Sequence, residues 1–149
     1  MLRPLTGHAR DSALAVARIL LGIVLCAHGA QKLFSYGFAG TTAAFAKIGV
    51  PLPAVSAAYA SVVELVGGGL LILGAATTIV SALVVLDMIG ASLTTGSYAS
   101  VFVESHGFEL EASILAGALL LLVAGAGRYS VDHLLLAKRE AAATAPTTA

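Results

Sequence analysis

The chain has 149 residues, 58% hydrophobic and 11% charged, where an average soluble domain carries about 25% charged residues, and its mean hydropathy of +0.96 excludes an ordinary soluble domain. Eight Lys and Arg balance eight Asp and Glu, so no net field gathers nucleic acid or an anionic membrane surface, and a nucleic-acid binder is excluded. A single cysteine, Cys26, excludes an internal disulfide, an intrachain dithiol and any multi-cysteine zinc or iron–sulfur site built from this chain alone, so redox chemistry needs a borrowed cofactor.

A helix that crosses the hydrocarbon needs about 20 mainly apolar residues. In chain order such stretches fall near Ser12–Leu33, Ala54–Ala75, Thr77–Thr95 and Glu109–Gly127. They predict an all-α integral membrane four-helix bundle, read as one membrane domain over 1–149. Arg3 and Arg10 ahead of the first apolar run imitate a signal peptide, but Cys26-Ala27-His28-Gly29-Ala30 offers no good cleavage site and the span is expected to be retained. Leu25 stands before Cys26 where a lipoprotein needs a small residue. Between the first two spans, Ser35–Val50 reads as a short amphipathic segment at the interface, stopped by Gly49-Val50-Pro51-Leu52-Pro53 and able to cap one mouth of the bundle. Gly74–Thr78 leaves almost no connection, which makes the second and third spans tight antiparallel neighbours. The tail from about residue 140 is expected to be disordered.

Orientation follows from basic residues at the span ends. Arg3, Arg10, Arg18, Arg128, Lys138 and Arg139 sit at or near one face, against Lys32 and Lys47 at the other. Both termini are therefore expected in the cytoplasm of a bacterium, with the protein in the inner (plasma) membrane.

Ionisable groups at hydrocarbon depth cost about 2.5–3.5 kcal/mol each on insertion scales, so they face the bundle interior and are candidate functional groups. The sequence predicts two polar layers. His28, Gln31 and Lys32 share one face at the outer end of the first span, level with Glu109 and Glu111, and Glu111 is the expected counter-ion of Lys32. Glu64 and Asp87 lie near the midplane among Ala, Ser and Gly that permit close helix contact, with Arg18 as their expected cation on a proton path. Imidazole, amide, ammonium and carboxylate together suit a quinone headgroup or a proton entry point, and the bland alternatives are an interfacial ion pair and a register-fixing Arg18 pair. An axial His28–His106 haem pair is disfavoured by the Gly-flanked position of His106. His8 and His133 receive no role, and Tyr59 and Tyr98 read as interface anchors. No metal site is expected.

The strings Ala17-Arg18-Ile19, His28-Gly29-Ala30-Gln31-Lys32-Leu33, Glu64-Leu65-Val66-Gly67-Gly68-Gly69-Leu70-Leu71-Ile72-Leu73-Gly74 and Gly125-Ala126-Gly127-Arg128-Tyr129-Ser130-Val131-Asp132 together resemble the DoxX family of small four-helix bacterial membrane proteins. The resemblance implies a membrane component of a redox system, as in the DoxD-like subunits of thiosulfate:quinone oxidoreductases and in complexes that handle oxidative or thiol stress. Against that family the chain is expected to be the minimal form, without a fused periplasmic domain. The leading expectation is a quinone-interacting membrane subunit of an oxidoreductase assembly, with quinone as the one cofactor and electrons from a soluble redox enzyme or another membrane subunit. The alternatives are a non-catalytic anchor or assembly factor and a small-molecule or proton transporter, the last requiring a homo-oligomer or an exposed cavity.

Overall fold

The computed structural model describes residues 5–96, 100–105 and 107–143, and in them every regular element is helical. Helix α1 (Gly7–Ala30) runs into a π-helical turn (Gln31–Ser35). Helix α2 (Gly37–Lys47) is followed by α3 (Pro53–Val62), a second π-helical turn (Val63–Gly67) and α4 (Gly68–Leu73), which continue one another as a single rod. Helix α5 (Thr77–Thr95), a 3₁₀ turn (Val103–Ser105), α6 (Glu109–Ala124) and α7 (Val131–Ala143) complete the order.

Boundaries follow local chemistry. Gly49, at φ +80°, lets the chain leave α2, and Pro53 opens α3 where a missing N–H costs nothing. Gly74, at φ +71°, ends α4 in a Schellman motif, its N–H bonding Leu71 O at 3.1 Å while the Ala75 N–H bonds Leu70 O at 2.9 Å. The polypeptide then turns within three residues and α5 returns beside α4, as the short connection requires.

Among the described residues three helical stretches are long and apolar enough to cross a membrane: Gly7–Ser35, Pro53–Leu73 and Thr77–Thr95. Helix α6, expected as a fourth span, has 16 residues, about 24 Å at 1.5 Å per residue. It packs against α5 and α1. The core holds Leu25, Leu71, Val84, Ala118 and Leu121. Outward, Leu20, Leu86, Leu93, Leu120 and Val123 are exposed, Val123 by 87%. Lipid solvates these side chains at no hydrophobic cost, while each helix satisfies its own backbone as the bilayer demands.

Helix contacts use the small residues. Gly22 and Gly29 of α1 face Gly68 and Leu65, so that a Cβ on Gly22 would lie 2.6 Å from Gly68 O and one on Gly29 would lie 2.8 Å from Leu65 Cα. The segment Ser35–Val50 contains a helix, α2, packed on α3, in keeping with an amphipathic segment. One expectation changes. The tail remains helical to Ala143, past the expected start of disorder, because Val131–Ala143 is rich in Leu and Ala. Residues 144–149, Tyr98 and His106 lie outside the described residues.

Candidate functional site

The second π-helical turn packs against α1, and the first packs against α2 and touches α3. In the first, Tyr36 N–H bonds Gln31 O at 3.0 Å, an i→i+5 bond that withholds it from Lys32 O. The Lys32 carbonyl is satisfied by the Thr41 hydroxyl at 2.7 Å, which ties α2 over the end of α1. In the second, Leu65 O accepts from Cys26 Sγ at 3.4 Å. Each π-helical turn carries one member of a buried ion pair. Lys32 Nζ lies 2.6 Å from Glu64 Oε2, with side chains 18% and 7% exposed.

Beside this pair opens a cavity of about 420 Å³. Lys32, Glu64 and Asp87 form its charged part. Tyr59, Ser56 and Ala60 of α3, Leu86, Gly90, Ala91, Thr94 and Thr95 of α5, and Phe45, Ile48, Val50 and Pro51 from α2 and the segment after it form the rest. Asp87 is 8% exposed, and its Oδ2 is buried with no hydrogen-bond partner among the described residues. Such a group is costly in an apolar setting unless a proton or a ligand satisfies it. Tyr59 Oη donates to Leu83 O at 2.8 Å and bridges α3 to α5 along the cavity wall.

The structure regroups the expected site residues. Lys32, Glu64 and Asp87, placed by sequence in two layers, meet in one cavity. The counter-ion of Lys32 is Glu64 and not Glu111, which is half-buried in the first turn of α6 and does not line the cavity. His28 is half-buried and Gln31 exposed, and neither lines the cavity. The buried face of α1 runs through Arg18, Gly22, Leu25 and Gly29, and at about 100° per residue Lys32 continues it, whereas Gln31 points about 100° away from Lys32 and His28 lies at the edge of that face. Arg18 is no partner of the acids. Its Nη1 donates to Leu71 O at 2.5 Å and Ile72 O at 2.8 Å, and its Nη2 to Tyr129 O at 2.8 Å, so it neutralises the carbonyl end of α4 and pins the chain before α7. Its carbonyl partners lie at the opposite end of α4 from Glu64. Tyr59, read as an interface anchor, and Thr41, not singled out, belong to the cavity and its cover; the only sequence cue was their neighbourhood to Glu64 and Lys32. Among the described residues no three His, Cys, Asp or Glu side chains are grouped to hold a metal.

The DoxX family model matches residues 13–97, which include all three charged cavity residues. The chain belongs to the DoxX family. It is similar to the membrane protein Rv3486 of Mycobacterium tuberculosis, 33% identical over 128 residues that cover 79% of this chain and 78% of the relative. It is similar also to the inner membrane protein YphA of Escherichia coli, 30% identical over 85% of this chain and 93% of that one. CatD of Bacillus subtilis, provisionally named an oxidoreductase, is 40% identical over 77 residues, 52% of this chain and 54% of CatD. No solved structure matches. This DoxX chain is a membrane protein, and the matched region ends shortly after α5, so α6 and α7 lie outside it.

Proposed function

We propose that this DoxX protein is the quinone-binding membrane subunit of a redox-linked assembly, with the headgroup seated against Lys32, Glu64 and Asp87. The observation that carries the reading is the buried, unpartnered Asp87 Oδ2 in a cavity that already holds an ammonium–carboxylate pair. At about 420 Å³ the cavity lies within the roughly 300–1,000 Å³ of small-molecule sites. Its apolar wall of Phe45, Ile48, Val50 and Leu86 suits an isoprenoid-bearing ring. Quinone reduction to quinol takes two electrons and two protons. The electrons come from a redox centre on a partner, because one cysteine cannot form a dithiol. The Lys32 ammonium and a protonated Asp87 each donate a hydrogen bond to a ring oxygen and pass it a proton on reduction, while the Glu64 carboxylate holds Lys32 in place. The name of CatD supports the redox class.

The same reading makes α6 a fourth crossing, its shortfall against the roughly 30 Å hydrocarbon core met by local thinning. The N-terminus and α7 then share the cytoplasmic face of the inner membrane. The test is titration of the purified protein in nanodiscs with a short-chain ubiquinone and a short-chain menaquinone. Tyrosine fluorescence is the readout, since the chain has no Trp and Tyr59 lines the cavity. Saturable quenching that weakens at least tenfold in Lys32→Met and in Asp87→Asn is expected. Absence of saturable binding, or equal affinity in both variants, refutes the quinone reading, and an empty protein that captures a soluble partner would favour an anchor.

A further inference from the structure

At the opposite end of the molecule a second cavity, about 700 Å³, opens between the start of α1, the start of α5 and the α6–α7 turn. Arg10, Arg128 and Arg139 converge on it from three elements, although the whole chain carries no net charge. Two carboxylates also line it, and both are engaged by backbone. Asp132 Oδ1 and Oδ2 accept the Ala76 and Thr77 N–H groups at 2.7 and 2.8 Å, capping α5, and Asp11 Oδ1 accepts the Arg128 N–H at 3.3 Å. Arg10 uses Nη2 on Ala124 O at 3.3 Å, which leaves most of its five donors free. Three guanidinium charges against two carboxylates leave one positive charge, the complement of one phosphodiester.

The rim decides which phosphate. Ile79, Leu135 and Leu136 line the same cavity and are 67%, 52% and 57% exposed. A free phosphate has no use for them, whereas a phospholipid presents its acyl chains there as its headgroup enters. The cavity also stands at the membrane boundary, where the span Thr77–Thr95 begins. Helix α7 places Leu134, Leu135 and Leu136 just before Lys138 and Arg139, the composition of a helix lying in the interface.

We propose that this cavity is a binding site for one anionic phospholipid, its phosphodiester held by Arg10, Arg128 and Arg139 and its acyl chains lying along Ile79, Leu135 and Leu136. The site is independent of the quinone reading. The full chain is purified in a mild zwitterionic detergent, and its thermal midpoint is measured with phosphatidylglycerol, with phosphatidylcholine and with inorganic phosphate. Phosphatidylglycerol is expected to raise the midpoint by several degrees and the other two by less than one. In Arg10→Gln/Arg139→Gln the rise should fall at least by half, and in Lys47→Gln, which removes an exposed cation at the other end of the molecule, it should persist. Arg139→Gln alone, on the exposed face of α7, covers a failure of the double variant to fold; it should retain at most half the wild-type amount of co-purified phosphatidylglycerol by mass spectrometry. An equal shift with phosphatidylcholine, an equal shift with inorganic phosphate, or undiminished shift and co-purified lipid in the variants each overturns the proposal.

Discussion

Replacing Lys32 by Met removes the ammonium and leaves the Glu64 carboxylate, 7% exposed, without its 2.6 Å partner. Breaking a buried ion pair from one side costs about 3–5 kcal/mol, most of it the penalty of the stranded charge. Glu64→Gln should cost less, about 1–3 kcal/mol, because the amide still accepts from Lys32 and the lysine stem, 18% exposed, has a route toward water. The double variant strands neither charge, so it should cost less than the two singles summed, with a coupling of about 2–3 kcal/mol, near the top of the range for contacting residues. At about 1.4 kcal/mol per tenfold, that is roughly a 30–150-fold effect on the unfolding equilibrium. Reversible unfolding in mixed micelles, followed by far-ultraviolet circular dichroism for all four corners of the cycle, reads it directly. Additive costs, with coupling below about 0.5 kcal/mol, would show that the pair is solvated and that the two π-helical turns are not held together by charge.

Gly29→Ala should destabilise by about 1–3 kcal/mol or block folding, because the new Cβ meets the backbone of Leu65 and no rotamer can yield, whereas Gly69→Ala, with nothing within 4 Å, should be neutral or slightly stabilising in the same assay. Arg18→Lys should behave as a severe folding variant, since one ammonium cannot reach Leu71, Ile72 and Tyr129 carbonyls as the guanidinium does; recovery of wild-type stability in detergent would contradict this. Asp132→Ala should cost about 0.5–2 kcal/mol through the lost cap on α5, read as a lower thermal midpoint with quinone binding intact. Asp87→Asn should keep the fold within about 1 kcal/mol, because Oδ2 has no partner to lose among the described residues, and a large loss of folded protein would reveal a structural role.

Much of this arrangement is legible in residues that obey the bilayer. The apolar runs give the spans at Thr77–Thr95 and around Arg18 because every backbone group in lipid must be satisfied within its own helix, and the small residues beside Glu64 foretell a close contact that Gly22, Gly29 and Gly68 realise. The grouping at the site is harder to read, for a geometric reason. Depth counted along each span sets Lys32 at the outer end and Glu64 near the midplane, which pairs Lys32 with Glu111 and Glu64 with Arg18, but the long lysine side chain closes that gap and brings Nζ to 2.6 Å from Glu64 Oε2. Charge type was no guide to partner either: Arg18, the deeper cation, spends its donors on carbonyls at the end of α4, a demand created by the sharp turn at Gly74.

The ion pair also explains why the charges can coexist at this depth. A π-helical turn frees a carbonyl, and here Thr41 takes the one on Lys32, so the distortion costs little backbone bonding. Without Lys32, Glu64 and Asp87 would share a largely apolar cavity with no cation. Two carboxylates in that position would repel one another. With Lys32 present, one negative charge is balanced and the second acid is left with a buried, unsatisfied oxygen. The site is therefore one proton or one hydrogen-bonding ligand short of satisfaction, in a cavity whose remaining walls are mainly apolar. A bundle that needed the ion pair only as a fastener would have no use for Asp87. Exchanging Asp87 for Asn keeps the size of the side chain but takes away its negative charge and its acidic proton. Ligand affinity should therefore fall in Asp87→Asn while stability holds, and unchanged affinity would assign Asp87 to packing alone.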